Sequence, residues 1–171
     1  MFILAYPVVV CVAILCIGSL YPELKYHRIP NYLTFSGMAA GIFYQCAFAE
    51  GIVFSVAGLL LGLGVLLPFY LLGGMGAGDA KLMGAVGAFL GPAGVFEAFL
   101  FSALIGGVYA VVLMTIHGYL RQNLKRYGRI LKGFFITQEF IYVPPPKEMK
   151  DIKLFYGVAI SVGTLFSVLF P

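Results

Sequence analysis

Asp79 is the residue of this sequence whose type and position most strongly suggest chemistry. It stands in the segment GAGDAK at residues 76–81, between two long apolar stretches. An ionisable group beside a hydrocarbon layer costs about 2.5 kcal/mol or more, so such residues are retained mainly for function. The alternative interpretation is structural, because an aspartate at the start of a helix accepts backbone N–H bonds.

Glu23 is the second candidate acid, just past the first apolar stretch. Beside Lys25 and Arg28 it could be an ordinary solvated interfacial charge, or it could meet Asp79. Two carboxylates that approach closely in a partly dry site cannot both be ionised, so they share a proton. Such a pair can activate water on a peptide carbonyl while the protonated partner polarises the carbonyl oxygen. This chemistry needs no metal and no other cofactor.

The residues around Asp79 have both structural and functional interpretations. Gly76 and Gly78 allow backbone conformations closed to other residues and allow a substrate strand to approach. Lys81 can stabilise the ionised form of Asp79 through its positive charge, or it can anchor a helix end among lipid headgroups. His27 is interpreted as an interfacial side chain. The three cysteines lack C-x-x-C spacing, so the sequence predicts neither a zinc site nor disulfides.

The composition predicts an integral membrane protein with one membrane-embedded domain over residues 1–171. Hydrophobic residues make up 61% of the chain, charged residues 11%, and the mean hydropathy is +1.00. A chain of 171 residues has room for roughly six spans of about 20 residues each. We therefore expect an all-α protein with about six transmembrane helices, in apolar runs at about 2–20, 33–48, 52–72, 80–90, 93–119 and 153–170. The fourth run is short for a span, which favours a tilted helix or one shielded from lipid.

The basic residues predict the orientation. All eleven Lys and Arg residues fall after the first, third and fifth runs, which lie on one side if there are six spans. The positive-inside rule places that side in the cytoplasm, together with Glu23 and Asp79. The segment 121–152 is predicted to be a basic loop with interleaved aromatic residues, or an interfacial helix. Its membrane-proximal position favours anionic lipid over nucleic acid as its partner.

Three motifs resemble those of the type IV prepilin leader peptidases, which are membrane aspartic peptidases. The segment GAGDAKLM at residues 76–83 resembles their GxGD-x-K motif. RIPNYLT at residues 28–34 and YGVAISVG at residues 156–163 resemble stretches of the same family. The resemblance covers nearly the whole chain, in the small form found in tight-adherence and Flp-type pilus systems.

The resemblance implies an aspartic endopeptidase of the GxGD architecture in the bacterial inner membrane. It implies cleavage of prepilins on the cytoplasmic side, between a short basic leader ending in glycine and the hydrophobic helix of the mature pilin. Asp79 and Glu23 would be catalytic, and the residues supporting the site or its backbone would be Gly76, Gly78, Lys81, Pro30 and Asn31. The paired C-x-x-C motifs of the bifunctional members, which also methylate the pilin, are absent, so methylation is not predicted.

One departure from the family pattern leaves two hypotheses open. The family has an aspartate seven residues before the proline of I-P-N, and that position is Glu23 here. The longer side chain could serve in an active peptidase, or the chain could be a catalytically impaired member that binds pilins or assists pilus assembly. A small transporter ranks last, because its acids would line a path near the bilayer midplane.

Overall fold

The computed structural model describes residues 2–118 and 155–170, with side chains from residue 6 onward. This part of the chain is helical and contains no strand. The helices are α1 (Phe2–Tyr26), α2 (Asn31–Phe48), α3 (Ile52–Leu71), α4 (Ala77–Ile116) and α5 (Tyr156–Leu169). Each predicted apolar run coincides with a helix or part of one, which confirms the all-α prediction for these residues. The predicted basic loop 121–152 lies outside the described residues.

The end of α1 differs from the sequence-based expectation. The first apolar run was expected to end near residue 20, before Pro22, which would leave Glu23 in a loop. The helix instead continues to Tyr26 with Pro22 inside it, although a proline there cannot donate the usual helical hydrogen bond. The next residue, His27, leaves the helical conformation with a φ of 53°, and its amide donates to the Glu23 carbonyl at 2.8 Å. Glu23 therefore lies in the last turn of a helix.

Helix α4 is interrupted at Gly91, between the fourth and fifth apolar runs. Gly91 has φ 70° and ψ −174°, which is not helical and which L side chains rarely adopt. The next residue, Pro92, has no N–H to donate to the carbonyl of Ala88. The Gly-Pro pair therefore divides α4 into two helical segments, as the two separate runs predicted.

Side chains of two other helices bond the carbonyls near this break. Ser55 Oγ of α3 donates to the Ala88 carbonyl at 2.7 Å, and Gln45 Nε2 of α2 donates to the Phe89 carbonyl. All four residues are buried. Because lipid offers no hydrogen bonds, such side chains are what allow a helix to be interrupted within a membrane.

The first segment of α4 lies at the centre of its neighbours. Residues 82–89 are all buried, so this short run is shielded, as one of the two sequence interpretations expected. The approach to α3 is close at Gly58 and Gly87, where a Cβ on either residue would overlap the backbone carbonyl of the other. Small residues let helices approach closely where no hydrophobic effect drives them together.

Within the described residues, three helices are long and apolar enough to cross a membrane: Tyr6–Tyr26, Ile52–Leu71 and Ala77–Ile116. Helix α5, with 14 residues, is shorter. These helices support a membrane protein, and the count of six crossings stays a prediction.

Helix α1 packs against α5 and α2, and α2 packs against α3. The chain divides into two compact units, one comprising Met1–Gly106 with Phe155–Pro171 and the other Gly107–Leu154. The candidate site lies in the first unit.

Candidate active site

Asp79 lies in the first turn of α4 and is 8% exposed. Its Oδ2 accepts a hydrogen bond from the Gly76 amide at 2.9 Å, and its own amide donates to the Gly76 carbonyl at 3.2 Å. This reciprocal pair resembles a capping box, in which a side chain in the first turn satisfies an amide that has no partner within the helix. The helix-cap interpretation therefore holds for Oδ2, and the other carboxylate oxygen, Oδ1, takes no part in the bonds with Gly76.

Glu23 is also buried, with 5% of its surface exposed. The Gly157 amide, at the start of α5, donates to Glu23 Oε1 at 2.7 Å. A helix N-terminus stabilises an anion through its unpaired amides and its dipole. Glu23 Oε2 is buried and has no hydrogen-bond partner among the described residues. The interpretation of Glu23 as a solvated interfacial charge is therefore wrong.

The fold brings the two acids into the same electrostatic environment. The Asp79 carboxylate is near enough for its charge to act on Glu23, although burial acts on Glu23 more strongly. Ile29 lies beside Gly78, the neighbour of Asp79, and beside Gly157, the hydrogen-bond partner of Glu23. A Cβ on Gly78 would lie 3.1 Å from Ile29 Cβ, and one on Gly157 would lie 2.8 Å from Ile29 Cδ1. The last turn of α1, the first turn of α4 and the first turn of α5 thus converge around one buried isoleucine.

The remaining predicted site residues take structural positions around this pair. Pro30 precedes α2 in an extended conformation, and its carbonyl accepts from the amide of residue 33 at 3.2 Å. Lys81 Nζ donates to Asn31 Oδ1 at 2.9 Å and lies 5.1 Å from the centroid of the Phe35 ring. These contacts connect the start of α4 to the start of α2.

Gly76 and Gly78 act through their contacts. Among the described residues, the glycines with positive φ are Gly51, Gly73, Gly91 and Gly118, so neither Gly76 nor Gly78 needs glycine for its φ value. Gly76 supplies the amide that Asp79 accepts. Gly78 leaves space for Ile29, whose carbonyl oxygen would lie 3.3 Å from a Cβ at that position.

In a comparison with protein-family models, the chain matches the type IV leader peptidase family over residues 8–111. The match covers more than half of the chain. The chain belongs to the type IV leader peptidase family. No curated protein and no solved structure matches the chain significantly. The matched range contains both acids of this leader peptidase, and membership makes peptide hydrolysis the expected chemistry.

Two residues of the leader peptidase site were not singled out from the sequence. Gly157 belongs to the YGVAISVG stretch, but nothing in its spacing shows that residue 157 meets residue 23. Ile29 belongs to RIPNYLT and reads as an ordinary apolar residue. Both residues fall inside stretches that resemble the family, and this resemblance was the signal in the sequence that could have marked them as site residues. His27 is exposed and stacks on Phe155, with 4.8 Å between ring centroids.

The arrangement suits acid–base chemistry on a peptide. Each carboxylate has one oxygen held by a backbone amide, which fixes its orientation without neutralising its charge. Within the described residues, no group of three or more His, Cys, Asp or Glu side chains is arranged to hold a metal ion. The groups at hand are thus two buried carboxylates, one with an unpaired oxygen.

Proposed function

We propose that this protein is a membrane aspartic endopeptidase that removes the short basic leader from type IV or Flp-type prepilins. Cleavage takes place at the cytoplasmic face of the bacterial inner membrane. The observation that carries the proposal is the burial of Glu23 and Asp79 at converging helix ends, with the charge of one acting on the other. Family membership supplies the peptidase context.

In the proposed reaction, Glu23 and Asp79 share one proton. The ionised carboxylate takes a proton from water while the water oxygen forms a bond to the scissile carbonyl carbon. The protonated carboxyl donates a hydrogen bond to the carbonyl oxygen and stabilises the charge that develops there. The carbon–nitrogen bond then breaks, and a proton passes to the leaving amine. Glu23 Oε2 and Asp79 Oδ1 are the oxygens outside the amide contacts, and they take these roles.

The proposal includes six membrane crossings in the GxGD architecture. The helices α1, α2, α3 and α5, with the two segments of α4 on either side of Gly91, supply six helical segments. The eleven basic residues then lie on the cytoplasmic side with both acids. The basic segment 121–152 meets anionic headgroups. Because a prepilin leader is itself basic, the acids of the site are what attract it.

A second candidate is a catalytically impaired member that binds pilins or assists pilus assembly. The glutamate at position 23 favours it, because an active site tolerates little misplacement and about 1 Å can reduce the rate roughly a hundredfold. The burial of Glu23 and the action of the Asp79 charge on it favour the peptidase, because burying two neighbouring carboxylates is costly and such arrangements are concentrated at catalytic sites.

Co-expression with a prepilin, followed by intact-mass measurement of the pilin, tests the proposed function. The native chain removes the leader, whereas Asp79→Asn, which keeps the size of the side chain and removes its charge, leaves the leader in place. Glu50→Gln is the matched control, because Glu50 is an exposed acid outside the site. Processing by Asp79→Asn at the native level contradicts the proposal, and absence of processing by the native chain favours the second candidate.

A further inference from the structure

The first turn of α5 contributes to the position of the Glu23 carboxylate, although α5 lies outside the range that matches the family model. Gly157 is buried, and its amide donates to Glu23 Oε1. Glu23 Oε2, in a side chain that is 5% exposed, has no partner among the described residues. The position of the carboxylate is therefore set from one side, by the backbone of α5.

A side chain at position 157 would have to displace the ends of two neighbouring side chains. A Cβ there would overlap Glu23 Oε2, would lie 2.8 Å from Glu23 Cδ, and would lie 2.8 Å from Ile29 Cδ1. Contacts of this length are not tolerated between real atoms, so a methyl group would displace the carboxylate, the isoleucine or α5 itself. Gly157 thus leaves space for the Glu23 carboxylate and also donates a hydrogen bond to it.

A second polar contact fixes the register of α1 against α5. Ser19 lies four residues before Glu23, and Ser161 lies four residues after Gly157, so each pair is one helical turn apart. The Ser19 and Ser161 hydroxyls are 3.0 Å apart, and both side chains are fully buried. This contact, one turn away, restrains α5 from moving toward a shorter side chain at position 23. An aspartate there would withdraw its carboxylate by about 1.5 Å, the length of one carbon–carbon bond.

We propose that Gly157 is a positioning residue for the Glu23 carboxylate and that this leader peptidase is built for glutamate at position 23. This inference rests on the proposed function in assigning Glu23 to catalysis. The backbone amide of Gly157 holds one oxygen, and the missing side chain leaves room for the other. The glutamate is in this view matched to the first turn of α5, and is not a defect of the site.

A double-mutant cycle with Gly157→Ala and Glu23→Asp tests the proposal. Each of the four proteins is measured for its rate of prepilin cleavage and for its thermal unfolding midpoint in one detergent. Gly157→Ala lowers cleavage at least about a hundredfold in the native background, because the added methyl displaces the carboxylate. It lowers cleavage and the midpoint less in the Glu23→Asp background, where the shorter side chain makes room. Gly64→Ala is the matched control, since a Cβ on this exposed helical glycine meets nothing within 4 Å.

Native-level cleavage by Gly157→Ala overturns the proposal. Equal effects of Gly157→Ala on the midpoint in both backgrounds also overturn it, because a merely structural glycine would behave in that way. The thermal unfolding midpoint can be measured whether or not the protein cleaves prepilin. If the native chain cleaves no prepilin, the proposed function fails, and the midpoints still decide whether Gly157 positions Glu23.

Discussion

At the scale of single residues, the two acids reach similar burial by different routes. Asp79 is held by the amide of Gly76, three residues away, so a local motif was enough to single it out. Glu23 is held by the amide of Gly157, 134 residues away. No periodicity or spacing reports a contact of that separation, so its burial could not be predicted from the sequence. The assumed end of α1 before Pro22 added to the error, because it placed Glu23 in a loop.

Lys81 gives a prediction at the same scale. Its ammonium contacts Asn31 and the Phe35 ring, so its contribution is to hold α4 to α2. Lys81→Met and Asn31→Ala each lower the thermal unfolding midpoint, and the double variant loses less than the sum of the two, because both remove one contact. Cleavage falls by less than about tenfold, the worth of one hydrogen bond.

Lys25→Met is the control for this pair, since Lys25 is an exposed lysine whose ammonium contacts Tyr21 of its own helix. It leaves both the midpoint and the cleavage rate near the native values. Loss of cleavage in Lys81→Met with an unchanged midpoint would contradict the structural role of Lys81. It would indicate that Lys81 stabilises the ionised form of Asp79.

At the scale of elements, apolar runs and their punctuation predicted the helices well. Glycine and proline mark helix ends for steric reasons that are local, so the break at Gly91 and Pro92 was visible in the sequence. The break leaves backbone carbonyls without helical partners. The side chains that bond these carbonyls could not be predicted from the sequence. Gln45 and Ser55 come from two other helices, and a buried polar residue in an apolar run does not indicate which backbone group it meets.

The break gives a prediction about stability. Ser55→Ala and Gln45→Leu each remove the donor to a buried carbonyl, and each lowers the free energy of unfolding by about 1–3 kcal/mol, the usual cost of an unsatisfied buried polar group. Denaturant unfolding in detergent measures the change. Ser36→Ala is the control, because its exposed hydroxyl donates to the Leu33 carbonyl of its own helix. Equal stabilities for Ser55→Ala and Ser36→Ala would contradict the assigned role of Ser55.

At the scale of the whole molecule, charge distribution carries the proposed orientation. Composition alone indicated a membrane protein, and three long apolar helices agree with it. The number of crossings needs more than composition, because α5 is short and α4 is interrupted. The orientation stays a prediction from the positions of lysine and arginine, since their transfer across a membrane is disfavoured.

Labelling with a membrane-impermeant maleimide tests this orientation. In a background with Cys11→Ala, Cys16→Ala and Cys46→Ala, a cysteine introduced by Glu50→Cys is labelled in spheroplasts with an intact inner membrane. A cysteine introduced by Arg28→Cys is labelled only after permeabilisation, because it lies on the cytoplasmic side with the acids. The opposite pattern would place the site on the outer face and contradict the proposed topology.

The measurement that tests the central claim most directly is the rate at which purified Glu23→Gln protein releases the leader from a prepilin, compared with the native chain. Glutamine keeps the length of the side chain and an oxygen that can accept from the Gly157 amide, so only the charge and the proton are lost. We expect a loss of at least about a hundredfold, the typical contribution of a group that transfers protons in the reaction, with an unchanged unfolding midpoint. Cleavage by Glu23→Gln at the native rate would show that the two carboxylates do not act as a pair.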